Sequence, residues 1–167
     1  EQRAGVPTGS TEIMPLVSET ARSALTIPAY ADPANHLPRL AALTWGAEDL
    51  AAALGAMRKR KANGQWSDSF RLVRANLLLT ARALNIPAID TLMADFRNLD
   101  GLKTAARAAY EDGFSGMLAI HPDQVPVINE IYTPSADTIA QAKRLIDAFK
   151  AAGNAGVISM DGQMYDQ

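Results

Sequence analysis

The chain has 167 residues, 48% of them hydrophobic and 20% charged, and a net charge of −2. That profile suits a globular domain with a real core and carries no electrostatic footprint for nucleic acid or an anionic membrane as a partner. Cysteine is absent, which excludes disulfides, thiolate zinc sites and cysteine nucleophiles; no apolar run approaches the roughly 20 residues of a membrane span, the first five residues lack a signal-peptide pattern, and the expected compartment is the cytoplasm.

Four short apolar runs are predicted as strands: Glu12 to Val17, Leu40 to Trp45, Ala88 to Met93 and Met117 to His121. Each is bounded by Gly, Pro or polar residues. Amphipathic stretches lie between and after them. Leu50, Ala53, Leu54 and Met57 share one helical face, and Phe70, Val73, Leu77, Ala81 and Leu84 recur at steps of three and four over about 68–85. Leu102, Ala105, Ala106, Ala109 and Tyr110 repeat the pattern over about 100–111, with Gly113 as the stop. A last helix is predicted after Pro134, capped by Ser135, with Ile139, Ala142, Leu145, Ile146 and Phe149 as its stripe and Gly153 past its end.

Strands alternating with helices imply an α/β fold with parallel pairing. Four parallel strands covered on one side only would leave a bare face, so half of an eight-stranded barrel fits better than a small open sheet. In such a barrel the chemistry sits at the C-terminal strand ends. That rule selects Glu19, Asp49 with its neighbours Gly46 and Glu48, the group Asp95 to Arg97, and His121. Glu19 and Asp49 follow consecutive strands and could converge as two hard ligands for Mg²⁺, leaving positions for water and substrate oxygens. The same two acids also suit helix N-termini, where the dipole stabilises them. Glu48 competes with Asp49 as ligand, and Gly46 permits close approach of a ligand to backbone N–H groups. His121 could contact substrate or act as a base, or could simply fix its loop. Asp95, Arg97 and Asp100 read as a turn with a helix cap. Arg58 to Lys61 read as a solvated helix end, with phosphate gripping as the alternative. No phosphate loop, GxSxG elbow or HExxH pattern occurs.

Four segments together resemble one family. Leu43-Thr44-Trp45-Gly46-Ala47-Glu48-Asp49-Leu50 looks like the "GAEDL" signature of citrate lyase β-subunit-like proteins in the HpcH/HpaI aldolase and citrate lyase superfamily. Pro15-Leu16-Val17-Ser18-Glu19-Thr20 resembles its preceding strand. Pro87 to Thr91 with Asp95 to Leu102, and Gly113 to Val125, resemble the segments that follow. The resemblance implies a (β/α)₈ TIM barrel, trimeric or hexameric, of which this chain would be the C-terminal half. Residues 1–133 would be barrel, and 134–167 the C-terminal helix and the start of a lid. It implies Mg²⁺, or Mn²⁺ in its place, on Glu19 and Asp49. The backbone of Gly46, Ala47 and Glu48 would hold a small oxo acid. Asp166, in the pattern Gly162-x-Met164-x-Asp166, would serve a neighbouring subunit as acid or base.

The implied activity is carbon–carbon cleavage or formation of malyl-, citramalyl- or citryl-CoA. Thioester hydrolysis, aldol cleavage of free oxo acids, or a non-catalytic subunit of a citrate-lyase-like complex are the alternatives on the same site. The pattern departs from the family in lacking its first four strands, with their substrate-binding arginine, and the helix after Asp166. Met117 also stands where many relatives have Lys. The chain is expected to be part of a longer protein.

Overall fold

Pro15 explains why the first predicted strand is irregular. The computed structural model describes residues 1–153 and 155–166. In it, segment 12–17 makes two isolated parallel bridges, Ile13 with Leu40 and Leu16 with Thr44, rather than a continuous ladder. Pro15 can accept a bond, and does so from the Thr44 amide at 3.2 Å, but has no N–H to return one. One more residue lies between Leu40 and Thr44 than between Ile13 and Leu16, so the ladder slips by a bulge between the bridges.

The regular elements follow. A short helix α1 (Ala21–Leu25) and a 3₁₀ turn (Ile27–Ala31) lead to β1 (Leu43–Thr44) and α2 (Ala47–Leu54). Then come α3 (Asp68–Ala83), β2 (Ala88–Asp90), α4 (Leu99–Asp112) and β3 (Gly116–Met117). Helices α5 (Gln124–Tyr132) and α6 (Ala136–Ala151) precede β4 (Val157–Met160) and β5 (Gln163–Asp166). The sheet order is β1-β2-β3, all parallel, with Leu43 opposite Ala88 and Ile89 opposite Gly116. Residues 12–17 lie along the outer side of β1. The expected α/β fold with a parallel sheet is therefore present. Its strands are shorter than the apolar runs, because those runs continue into the turns that carry polar side chains.

Contacts divide the chain into two compact units, Glu1–Tyr132 and Thr133–Gln167. In the first, the core lies between sheet and helices. Phe70, Val73, Leu77 and Ala81 of α3 meet Leu43, Trp45 and Ala88, with Leu50, Ala109 and Phe114 in the same cluster. The three-and-four spacing of α3 aims all four residues at the sheet, each large side chain contributing about 1.5–3 kcal/mol on burial. Helix α4 begins where the Asn98 side chain accepts the Gly101 amide. It ends at Gly113, whose φ of 103° few other residues tolerate.

Helix α2 stops at Leu54, so Met57 is not on its face but fully exposed. Arg58 to Lys61 accordingly lie in a loop rather than at a helix end. Lys59 pairs with Glu48, Lys61 with Asp68 at 2.9 Å, and the Arg60 guanidinium lies 3.6 Å over the Trp66 ring. Helix α5 was not expected. Its first residue, Gln124, is fully buried, accepts the Ile120 amide and donates to the Met93 carbonyl, tying together the turns after β2 and β3.

The second unit holds α6, capped by Ser135 as expected, and the antiparallel pair β4-β5. Asp161 and Gly162 form its two-residue turn with φ of 53° and 78°, the handedness that suits a tight hairpin. The apolar stripe of α6 has no buried member; Ile139 and Ile146 are 44% and 52% exposed. Among the described residues no helix is long and apolar enough to cross a membrane.

Candidate metal centre

The site is built by two buried hydroxyls and one glycine. Ser18 follows the irregular first strand and is fully buried. Its Oγ donates to the Gly46 carbonyl at 3.2 Å and accepts the Gly46 amide at 3.0 Å. This double bond pattern locks the residue before Glu19 to the residue that opens α2. Gly46 is the N-cap of α2 and makes no side-chain cap bond.

Around Gly46 the two predicted acids meet. A Cβ placed on this glycine would lie 3.2 Å from Glu19 Oε1 and 3.7 Å from Asp49 Oδ2, with Leu16 Cδ2 also at 3.2 Å. The carboxylates thus flank one small space above a backbone without a side chain. Both residues are exposed at this edge, while Gly46 beneath them is buried. Glu48 does not join them; its carboxylate is paired with Lys59. Among the described residues no group of three or more His, Cys, Asp or Glu gathers to hold a metal. Two hard carboxylates with open positions beside them fit a divalent cation that keeps water and ligand oxygens, as Mg²⁺ does. They do not form a closed, all-protein cage.

Gly46 is here for lack of a side chain, since its φ of −110° suits any residue. Gly46→Ala should therefore fold normally yet push Glu19 aside, weakening Mg²⁺ binding by about tenfold, the usual scale for disturbing the support of a metal ligand. Titration calorimetry beside a thermal melt reads both; unchanged affinity would mean that Glu19 is not held over this glycine.

The amides of the α2 turn are partly in use. Gly46 N–H is taken by Ser18, and Ala47 N–H is donated to Thr91 Oγ1 at 3.1 Å. The next two, on Glu48 and Asp49, have no acceptor within the helix, as is general for a first turn. An anion at this helix end would meet these two N–H groups and the positive end of the dipole.

Below the turn lies a network centred on Asp90, which is 4% exposed. Its Oδ1 accepts Trp45 Nε1 at 2.6 Å and the Thr91 amide at 2.9 Å; its Oδ2 accepts Arg74 Nε at 3.0 Å. Arg74 also reaches Asp112 at 2.5 Å. Burial would lower the Arg74 guanidinium, but the carboxylates of Asp90 and Asp112 outweigh it and raise it. A cavity of about 1210 Å³ opens beside this network, lined by Glu48, Arg60, Trp66, Arg74 and Thr91 among others, and contains neither Glu19 nor Asp49. It is a cleft flanked by α3 and α4, distinct from the carboxylate pair.

The remaining candidates have structural partners. His121 stacks on Phe96 with centroids 4.7 Å apart and accepts the Asp123 amide on Nδ1 at 3.2 Å, which fixes its loop. The group read as a turn with a helix cap leads into α4, with Asn98 as the capping residue and Asp100 in the first turn. Asp166 ends β5, opposite Val157.

The sequence model of HpcH/HpaI aldolase/citrate lyase proteins matches residues 1–122, a stretch that includes every residue around Gly46 described above. The chain belongs to this family. It is 38% identical over 150 residues to a citrate lyase subunit beta-like protein of Mycobacterium tuberculosis, covering 89% of this chain and 52% of that protein. It is 35% identical over 129 residues to the mitochondrial citramalyl-CoA lyase of Rattus norvegicus, covering 76% and 37%. Its fold superposes with a TM-score of 0.77, at 34% identity over 95% of this chain and 57% of the other, on CitE of M. tuberculosis in complex with magnesium, acetoacetate and coenzyme A. The chain thus spans about half, or less, of the length of the family relatives it matches.

Proposed function

We propose that the chain is the C-terminal half of a (β/α)₈ barrel, residues 1–133, followed at 134–167 by a C-terminal helix and the start of a lid. In this reading it forms part of a Mg²⁺-dependent carbon–carbon lyase acting on a malyl-, citramalyl- or citryl-CoA type thioester. The observation that carries it is the convergence of Glu19 and Asp49 over Gly46. Support comes from a relative bound to magnesium, an oxo acid and coenzyme A, and from relatives named as citramalyl-CoA and malyl-CoA lyases.

Glu19 and Asp49 would hold the cation, Mg²⁺ or Mn²⁺, which supplies Lewis-acid polarisation of the substrate's carbon–oxygen group. The N–H groups of Glu48 and Asp49 would orient the carboxylate of the oxo-acid portion, with Gly46 and Ala47 forming the floor. As the substrate hydroxyl gives up its proton to water, its carbon becomes the carbonyl of the oxo acid, the bond to the thioester α-carbon breaks, and the electron pair of that bond stays on the α-carbon as the thioester enolate. Asp166 of a neighbouring copy would return a proton there as general acid. The family resemblance suggests a homotrimer or homohexamer, and the exposed apolar stripe of α6 is a surface that a second copy or the rest of the barrel would cover.

The test uses the intact protein with a β-hydroxyacyl-CoA and Mg²⁺, measuring oxo acid and free thiol separately. Oxo acid should form without free thiol and cease on chelation. Asp166→Asn should lower kcat by about 10²–10⁴-fold with little change in KM. Mixing that variant with Glu19→Ala should recover part of the rate, since each supplies what the other lacks. Free thiol without oxo acid would make the protein a hydrolase. No recovery on mixing would remove Asp166 from the neighbour's site.

A further inference from the structure

The cap of α2 comes from another strand. A helix N-terminus is ordinarily capped by the side chain of its N-cap residue. Here that residue is Gly46, kept bare because a Cβ would press on Glu19. The first helical amide, on Ala47, is instead accepted by Thr91 Oγ1 at 3.1 Å. Thr91 lies one residue past β2 and is 1% exposed, as is Ala47.

Thr91 is itself held. Its own amide donates to Asp90 Oδ1, the same oxygen that accepts Trp45 Nε1. Trp45 is the residue before Gly46. The bonds therefore close a ring: Trp45 to Asp90, Asp90 to Thr91, Thr91 to Ala47, and back along the chain through Gly46. Turning the first turn of α2 would break a buried bond in that ring. Asp49 stands in that turn.

We propose that Thr91 is a positioning residue for the metal centre: its hydroxyl fixes the N-terminal turn of α2 so that the Asp49 carboxylate meets that of Glu19. This rests on the reading of Glu19 and Asp49 as metal ligands. It also removes the Ala47 N–H from the donors open to substrate and leaves those of Glu48 and Asp49.

The experiment compares Thr91→Val, which keeps the shape and loses the acceptor, with Thr91→Ser, which keeps the acceptor, in the intact protein. Mg²⁺ alone is titrated by calorimetry, and exchange of the Ala47 amide is followed by NMR. Thr91→Val should weaken Mg²⁺ binding about tenfold and speed Ala47 exchange; Thr91→Ser should restore both to near wild-type. Should Thr91→Val fail to fold, Thr91→Ala against Thr91→Ser makes the same comparison. Equal Mg²⁺ affinity in Thr91→Val and wild type overturns the proposal while leaving the metal site intact. If wild type binds Mg²⁺ no better than Glu19→Ala, the metal reading itself has failed. Ala47 exchange then stands alone, and exchange unchanged by Thr91→Val overturns the capping role as well.

Discussion

Replacing Glu19 or Asp49 by alanine is expected to abolish Mg²⁺ binding in the intact protein and to reduce turnover by at least about a thousandfold. A bound cation stabilises developing charge by several kcal/mol, and each 1.4 kcal/mol or so is tenfold in rate. Neither change should unfold the chain. Both residues are exposed, and surface substitutions away from caps and packed groups cost little. Two ligands give no redundancy: with one gone, a single carboxylate remains against the strong hydration of Mg²⁺. Glu48→Ala is the matched control, because that carboxylate belongs to Lys59. Calorimetry on the three variants decides the matter. Retained affinity in both Glu19→Ala and Asp49→Ala, or its loss in Glu48→Ala alone, would refute the assignment.

Asp90→Ala should be the most destabilising change near the site, at about 3 kcal/mol. It strips the acceptor from a fully buried indole N–H and from the Thr91 amide, and leaves Arg74, whose side chain is 14% exposed, short of its inner partner. Breaking a buried pair by removing one member costs about 3–5 kcal/mol. The lower figure applies because Arg74 keeps Asp112. Against a total stability of about 5–15 kcal/mol for a domain, such a loss is large. Asp112→Ala, by contrast, removes a carboxylate that is 55% exposed and should cost under about 1 kcal/mol. Urea midpoints for the two variants test this: similar losses would mean that the inner bond is worth no more than the outer one.

The periodic helices were legible in the sequence because each buries one face. The Phe70, Val73, Leu77 and Ala81 stripe is the face that meets the sheet. The pairing of residues 12–17 was legible as a strand but not its bulge, which depends on how one proline meets a particular partner. Helix α5 was obscured by Pro126 and by its short length, and the β4-β5 hairpin by the lack of a strong apolar alternation. At the site, the acids stood out by their places after strands.

Their supports did not. Asp90 sits inside the run Ala88-Ile89-Asp90-Thr91-Leu92-Met93. A charge within an apolar strand must find partners, and that was the available signal. Arg74 gave none, since an arginine on a helix is ordinary until the helix is seen to turn it inward. Ser18 and Thr91 gave none either, because small hydroxyl residues at strand ends are common in turns of every kind.

The chain has only two tryptophans. Trp45, the residue before Gly46, donates to Asp90, and Trp66 meets it edge-on at 5.2 Å. Indole emission from this chain is thus emission from one edge-on pair that runs from the residue before Gly46 to the cleft flanked by α3 and α4. Its colour and lifetime follow the field and hydration around that pair, so this stretch carries an optical gauge of the Asp90 network and of the cleft beside it.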